Sequence, residues 1–214
     1  MSRDTVEAKP RMVDGSPRPA PLRMTFEEYL ALDDERTMSE WVDGEVIFMS
    51  PVAEKHQEIM LFLAQTLGLY VQAHNLGRIL LPPFAMKLAA ARRGREPDLM
   101  FVSRARAHLI LRTYLDGPAD LAVEIVSPES IGRDRGEKFV EYEQAGIKEY
   151  WLIDPDRESA EFYELGADRR YRAAQVEPEG VYQSQVVPGF FVRVAWLWQM
   201  PAPTLAALRE LKLL

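Results

Sequence analysis

Residues 121–126, Leu-Ala-Val-Glu-Ile-Val, form a near-continuous apolar run broken by one carboxylate. A short apolar run of this kind marks a strand buried on both faces, as in the middle of an α/β sheet. Glu124 is the misfit in it. An unpaired carboxylate at such a position costs roughly several kcal/mol or is forced to take up a proton, so Glu124 needs a cationic partner or a metal ion.

The rest of the chain supplies a frame for that strand. With 214 residues and 47% hydrophobic side chains, it can bury one substantial core and fits one domain better than two. Thr25 and Glu28 make a capping box that opens a short helix carrying Phe26, Tyr29, Leu30 and Leu32, ending near Asp33 to Arg36. Asp43-Gly44 between β-prone residues predicts a hairpin whose second strand runs on to Pro51. The apolar spacing over 54–74 predicts a long helix terminated by Gly77. Strands are expected over 78–81, 84–88 and 98–102, with Arg92, Arg93, Gly94 and Arg95 forming a basic loop between the last two. A helix over 133–145 closed by Gly146 follows the central strand, and a second buried strand over 149–153 follows the helix. Edge strands over 161–165, 171–176 and 190–194 and a helix over 204–213 complete the order. The pattern is mixed α/β, a central sheet flanked by helices.

Residues 1–22 carry four prolines and mixed charge with no continuous apolar stretch, so a disordered leader is expected there and a single domain over 23–214. No apolar run approaches the ~20 residues that a bilayer span needs. The absence of cysteine removes thiolate zinc sites and cysteine nucleophiles and suits a cytoplasmic protein. With only three histidines, any metal is better held by carboxylates. The net charge of −7, from 33 acidic and 26 basic side chains, argues against a protein that coats DNA, though not against a local basic strip.

A partner for Glu124 can be sought at neighbouring strand ends. Asp98 opens a strand directly after Pro97, and Glu40 lies at the hairpin. Together the three carboxylates would form an oxygen-only pocket suited to Mg²⁺ or Mn²⁺, a cation able to polarise a phosphodiester and activate water. Lys138, on the helix that follows the Glu124 strand, is the candidate for stabilising the developing negative charge.

These residues carry a family resemblance. Glu40 to Pro51 (EWVDGEVIFMSP), His56 opening the long helix, Pro97-Asp98-Leu99, Val123 to Pro128, Asp134 with Lys138 and Tyr142, and Gly146 to Trp151 together resemble the Uma-type endonucleases. Those are bacterial proteins assigned to the PD-(D/E)XK restriction-endonuclease-like superfamily. The resemblance runs from about residue 24 to 165. It implies a restriction-endonuclease-like core, a mixed central sheet flanked by helices with metal ligands gathered at one end, to which the strands expected after residue 165 add at the C-terminus. It also implies a Mg²⁺- or Mn²⁺-dependent endonuclease acting on DNA, with Asp98 as the PD aspartate, Glu124 as the acidic residue of (D/E)XK and Glu40 as accessory ligand. Val126 stands where the superfamily pattern has its lysine, and Lys138 takes the lysine's place from the following helix, with Tyr142 on the same helical face. Cutting both strands of a duplex pairs two sites about a two-fold axis, so a homodimer is expected.

Each assignment has a plainer counterpart. Glu124 could be a buried ion pair with Arg133, Arg135 or Lys138, and Glu40 a solvent-facing hairpin charge. His56 could touch phosphate or orient water, or be a polar residue at a core edge. Tyr142 could meet substrate or belong to the core, and Arg92, Arg93 and Arg95 could meet DNA phosphates or form a solvated loop. At the level of the whole chain the alternatives are a catalytically degenerate binding or assembly module and a small-molecule phosphate hydrolase.

Overall fold

The computed structural model describes residues 22–31, 39–48, 52–127 and 130–214. The expected leader, apart from Leu22, lies outside these residues, as do the first helix beyond Ala31 and the hairpin strand from Met49 to Pro51.

The capping box forms as expected at α1 (Phe26–Leu30): the Glu28 N–H donates to Thr25 Oγ1, and the Thr25 N–H donates to the Glu28 carboxylate. The hairpin strands β1 (Ser39–Val42) and β2 (Glu45–Phe48) turn at Asp43 and Gly44, with φ of 50° and 91°. Two successive positive φ angles are what a type I′ turn requires. The long helix α2 (Glu54–Ala73) buries Ile59, Phe62, Leu63, Leu67, Tyr70 and Val71. Its terminator is Asn75 and not Gly77: Asn75 takes φ 52°, and the Leu76 N–H returns to the Val71 carbonyl. Gly77 opens β3 (Gly77–Leu80) instead, where a Cβ would lie 2.1 Å from the Val102 carbonyl oxygen. Close backbone approach, not helix capping, is its reason for being glycine.

Strands β4 (Ala85–Leu88), β5 (Arg93–Arg95), β6 (Leu99–Ser103), β7 (Tyr114–Leu115) and β8 (Leu121–Ile125) follow. Strand β5 corrects the basic-loop expectation. Arg93-Gly94-Arg95 is laddered between β1 and β4, with Arg95 fully buried, Arg93 half-buried and only Arg92 exposed. The helix expected over 133–145 is present, but its first part, Arg133–Lys138, is π-helical before α3 (Phe139–Ala145), and Gly146 at φ 84° closes it. Then come β9 (Glu149–Asp154), β10 (Ser159–Leu165), β11 (Tyr171–Ala173), β12 (Val181–Gln183), β13 (Phe191–Arg193) and α4 (Thr204–Glu210).

These strands form two principal sheets and a ribbon. The six-stranded sheet has the order β11-β10-β9-β8-β6-β3, with β8 and β9 parallel and its other pairs antiparallel. The hairpin belongs to a five-stranded sheet of order β2-β1-β5-β4-β7, and β12 pairs with β13. Alternation along β8 divides the core. Leu121, Val123 and Ile125 pack with α2 side chains and with Phe190, Trp196 and Leu211 from the C-terminal segment. Ala122 and Val126 pack on the other face with Met86, Leu88, Tyr142, Tyr150 and Leu152. Glu124 shares the second face, between the central sheet, the hairpin sheet and the Arg133–Ala145 helix. Among the described residues, no helix is long and apolar enough to cross a membrane.

Candidate active site

Two strand registers assemble the site. Leu99 pairs with Val123 across the antiparallel β6–β8 ladder, which puts Asp98 beside Glu124 at the ladder's end. Trp41 pairs with Gly94 across β1–β5, which puts Glu40 opposite Arg95. Trp41 turns toward Phe26, Tyr29 and Val46, so by the period of two Glu40 points the other way. The Arg133–Ala145 helix lies over the junction and contributes Asp134, Lys138, Glu141 and Tyr142, all buried.

Lys138 is the hub. Its Nζ lies 2.8 Å from Glu124 Oε2, 3.0 Å from Glu40 Oε1 and 3.2 Å from Asp134 Oδ1, the last an i,i+4 pair along the π-helical turn. The Tyr142 hydroxyl donates to Glu124 Oε1 at 2.6 Å. Asp98 is oriented independently: Oδ2 accepts from the Ile125 N–H at 2.7 Å, and His56 Nε2 stands 3.1 Å from Oδ1. Arg95 forks onto Glu141, with Nε to Oε2 at 2.8 Å and Nη2 to Oε1 at 2.9 Å, while its Nη1 donates to Glu40 Oε2 at 2.8 Å.

Three carboxylates therefore crowd one ammonium, with Asp98 close by. Burial pushes the Glu124 carboxyl up to about 8, the charges of Asp134, Asp98 and Glu40 add to that, and Lys138 opposes it. Burial would also raise Glu40, but Lys138 and Arg95 outweigh it and hold that carboxyl at about 2. Burial works against the Lys138 ammonium, yet Glu124, Glu40 and Asp134 more than offset it, so the amine stays charged. Burial and three neighbouring carboxylates thus outweigh the one ammonium at Glu124, which readily takes a proton.

The buried Glu40 Oε1 and Asp134 Oδ1 face the Lys138 ammonium as ion pairs without a well-directed hydrogen bond. This donor set fits a hard cation by its chemistry, since it is rich in oxygen and short of positive charge. Among the described residues, no three or more His, Asp and Glu side chains are drawn together as a ready-made cage. Two carboxylates are enough for Mg²⁺, which keeps several waters and commonly takes its other ligands from substrate phosphate.

The structure brings together Asp98, Glu124, Lys138, Glu40, His56 and Tyr142 of the residues singled out from the sequence. Their contacts differ from the expected ones in two respects. Both Glu40 oxygens face cations, Lys138 and Arg95, so Glu40 supports the lysine instead of offering a free ligand oxygen. Tyr142 is fully buried on Glu124 and does not face solvent. The arginines separate: Arg92 is exposed, Arg93 pairs with Asp43 and Glu141, and Arg95 is enclosed among Glu40, Glu141 and Glu137, away from any phosphate. From the sequence, Glu141 has no assigned role and Asp134 is named only among the residues that carry the family resemblance. Their spacing from Lys138, four residues before it and three after, was the available signal, because side chains so spaced share a helical face.

No curated protein matches the chain. Among solved structures, one described as the crystal structure of a "putative nuclease belonging to DUF820" from Anabaena variabilis superposes with a TM-score of 0.69, covering 82% of this chain and 97% of that one at 18% identity. At that identity the likeness establishes the fold, the mixed α/β architecture that the sequence implied. A family model described as "Putative restriction endonuclease" matches residues 26–195, a span that contains every residue of the site, and on that match the chain belongs to the Uma2 family.

Proposed function

We propose that the chain is a divalent-metal-dependent endonuclease that hydrolyses DNA phosphodiester bonds at the Asp98–Glu124 site. The observation that carries this reading is the juxtaposition of those two carboxylates at adjacent strand ends, with the Lys138 ammonium 2.8 Å from Glu124. Membership of the Uma2 family and the fold shared with the Anabaena protein support it.

In this reading Asp98 and Glu124 hold Mg²⁺ or Mn²⁺, which lends Lewis acidity at the scissile phosphate and lowers the pKa of an attacking water. Asp98 is kept aimed by the Ile125 N–H and by His56, and Tyr142 fixes one oxygen of Glu124. Lys138 supplies a positive charge beside the phosphate as negative charge builds on its oxygens, and orients water. Glu40 acts through Lys138 and Arg95. Arg92, exposed just before β5 at the end of the β1–β5 ladder, is the one member of the arginine run available to a DNA phosphate.

A second reading is favoured by one observation: both Glu124 oxygens are already engaged, by Lys138 and by Tyr142. In that reading the chain is a catalytically degenerate binding module. Titration calorimetry with Mn²⁺ on the wild type and Asp98→Ala separates the two. The nuclease reading expects one binding event in the wild type that is lost in the variant, whereas identical isotherms from two folded proteins would refute the metal site.

A further inference from the structure

We propose that Arg95 is a positioning residue that aims the Lys138 ammonium at Glu124, through Glu40. The kinetic part of this inference rests on the reading of Lys138 given above, but its geometric part does not.

The geometry forms a single chain of contacts. Glu141 on α3 takes the Arg95 fork, Arg95 on β5 donates to Glu40 on β1, and Glu40 holds Lys138 at 3.0 Å, which holds Glu124 on β8 at 2.8 Å. Three strands and one helix are thereby tied through five side chains that are all at least nine-tenths buried. A lysine stem is flexible, and three carboxylates compete for this ammonium. What removes that freedom is Glu40, whose second oxygen is pinned by Arg95 and which therefore cannot swing after the amine. The clamp also acts on the base of the stem. Glu141 lies three residues after Lys138 on the same continuous helix, so the fork fixes the rotation of the helix that carries the lysine. A planar guanidinium can fork onto one carboxylate through two N–H groups and still donate to a second, which fixes their relative orientation, whereas an ammonium is a point charge without a fork. The arginine that the sequence placed among phosphate contacts thus works from inside the fold.

The test is a ¹H–¹⁵N spectrum of the lysine side-chain ammonium groups, in which a buried, hydrogen-bonded Lys138 gives a slowly exchanging signal identified by its loss in Lys138→Met. Arg95→Met and Glu141→Gln are compared with Lys148→Met, which breaks an ion pair with Asp120 at the other end of β9. The expected result is a Lys138 signal displaced or broadened away in Arg95→Met and Glu141→Gln and unmoved in Lys148→Met, with the circular dichroism of all three unchanged. Should Arg95→Met fail to fold, Glu141→Gln, which keeps the side-chain shape, decides alone. The expected kinetic result is a kcat for DNA cleavage lowered about 10- to 100-fold, with KM and Mn²⁺ affinity within about twofold of the wild type. A Lys138 signal unmoved in the folded variants, or never distinct in the wild type, overturns the proposal. A wild type that cleaves no DNA defeats the nuclease reading and leaves the spectrum to decide the positioning by itself.

Discussion

Glu124 owes its chemistry to the charges that surround it. Its carboxyl, raised to about 8 by burial and by Asp134, Asp98 and Glu40, must lose its proton before it can bind a cation. The sign follows directly: below pH 8 the proton competes with the metal, and above pH 8 it does not. The apparent Mn²⁺ affinity is therefore expected to rise by about tenfold per pH unit from pH 6 toward 8 and then level off. Calorimetry in buffers of different ionisation enthalpy reads the accompanying proton release. Lys138 is expected to matter to stability as well as chemistry. Lys138→Met leaves the buried Glu40 and Asp134 carboxylates without the ammonium they share and removes a hydrogen-bond donor from Glu124, a loss on the order of 3–5 kcal/mol, measurable by urea unfolding at pH 7. At this scale the sequence was legible where a residue contradicted its surroundings. A carboxylate inside Leu-Ala-Val-Glu-Ile-Val demands an explanation, while Glu141 on a polar helix face or Arg95 in an arginine run does not. What distinguishes those two is burial across strands distant in sequence, which no local pattern reports.

Elements with strong local signals form as the sequence predicts. The Thr25 capping box, the Asp43-Gly44 turn, the long apolar helix and the two buried parallel strands each carry their cause within a few residues. Among the described residues, the strands that were not foreseen are β5, β7 and β12, with only three, two and three residues. Strand β5 is the instructive case: Arg93-Gly94-Arg95 has the composition of a loop and becomes a strand because β1 and β4 ladder with it on both sides. The burial of Gly94 against Phe26 explains the glycine there, since a Cβ would come within 2.6 Å of that ring. The π-helical turn from Arg133 to Lys138 was also beyond sequence reasoning, which sees helical spacing but not the width of a turn. Two glycines give opposite expectations at this scale. Gly77→Ala is expected to destabilise by several kcal/mol, roughly, because its Cβ would collide with the Val102 carbonyl and prise β3 from β6. Gly68→Ala, in the interior of α2 with open space around it, is expected to stabilise by about 1 kcal/mol. Urea midpoints of the two variants against the wild type give the comparison.

The whole molecule places its acidic balance and its site in tension. A chain of net charge −7 repels DNA at long range, so in the proposed reading recognition rests on local contacts around Asp98 and Glu124 and on a cation held there. The fold gathers these residues by setting a hairpin sheet against a central sheet under one helix, whereas the sequence pattern predicts a single central sheet. The class of fold was nevertheless legible, because buried strands, the hairpin and the helix order are all local features, whereas the division into two sheets is decided by long-range registers such as Trp41 with Gly94. The central claim is that Asp98 and Glu124 hold the cation that cuts DNA. Its most direct test is the nicking of supercoiled plasmid by the wild type and by Asp98→Asn with Mn²⁺ and with chelator. The expected result is nicked and linear product from the wild type with Mn²⁺ alone, and none from the folded variant. Equal cleavage by the two proteins, or cleavage undiminished by chelator, would contradict it.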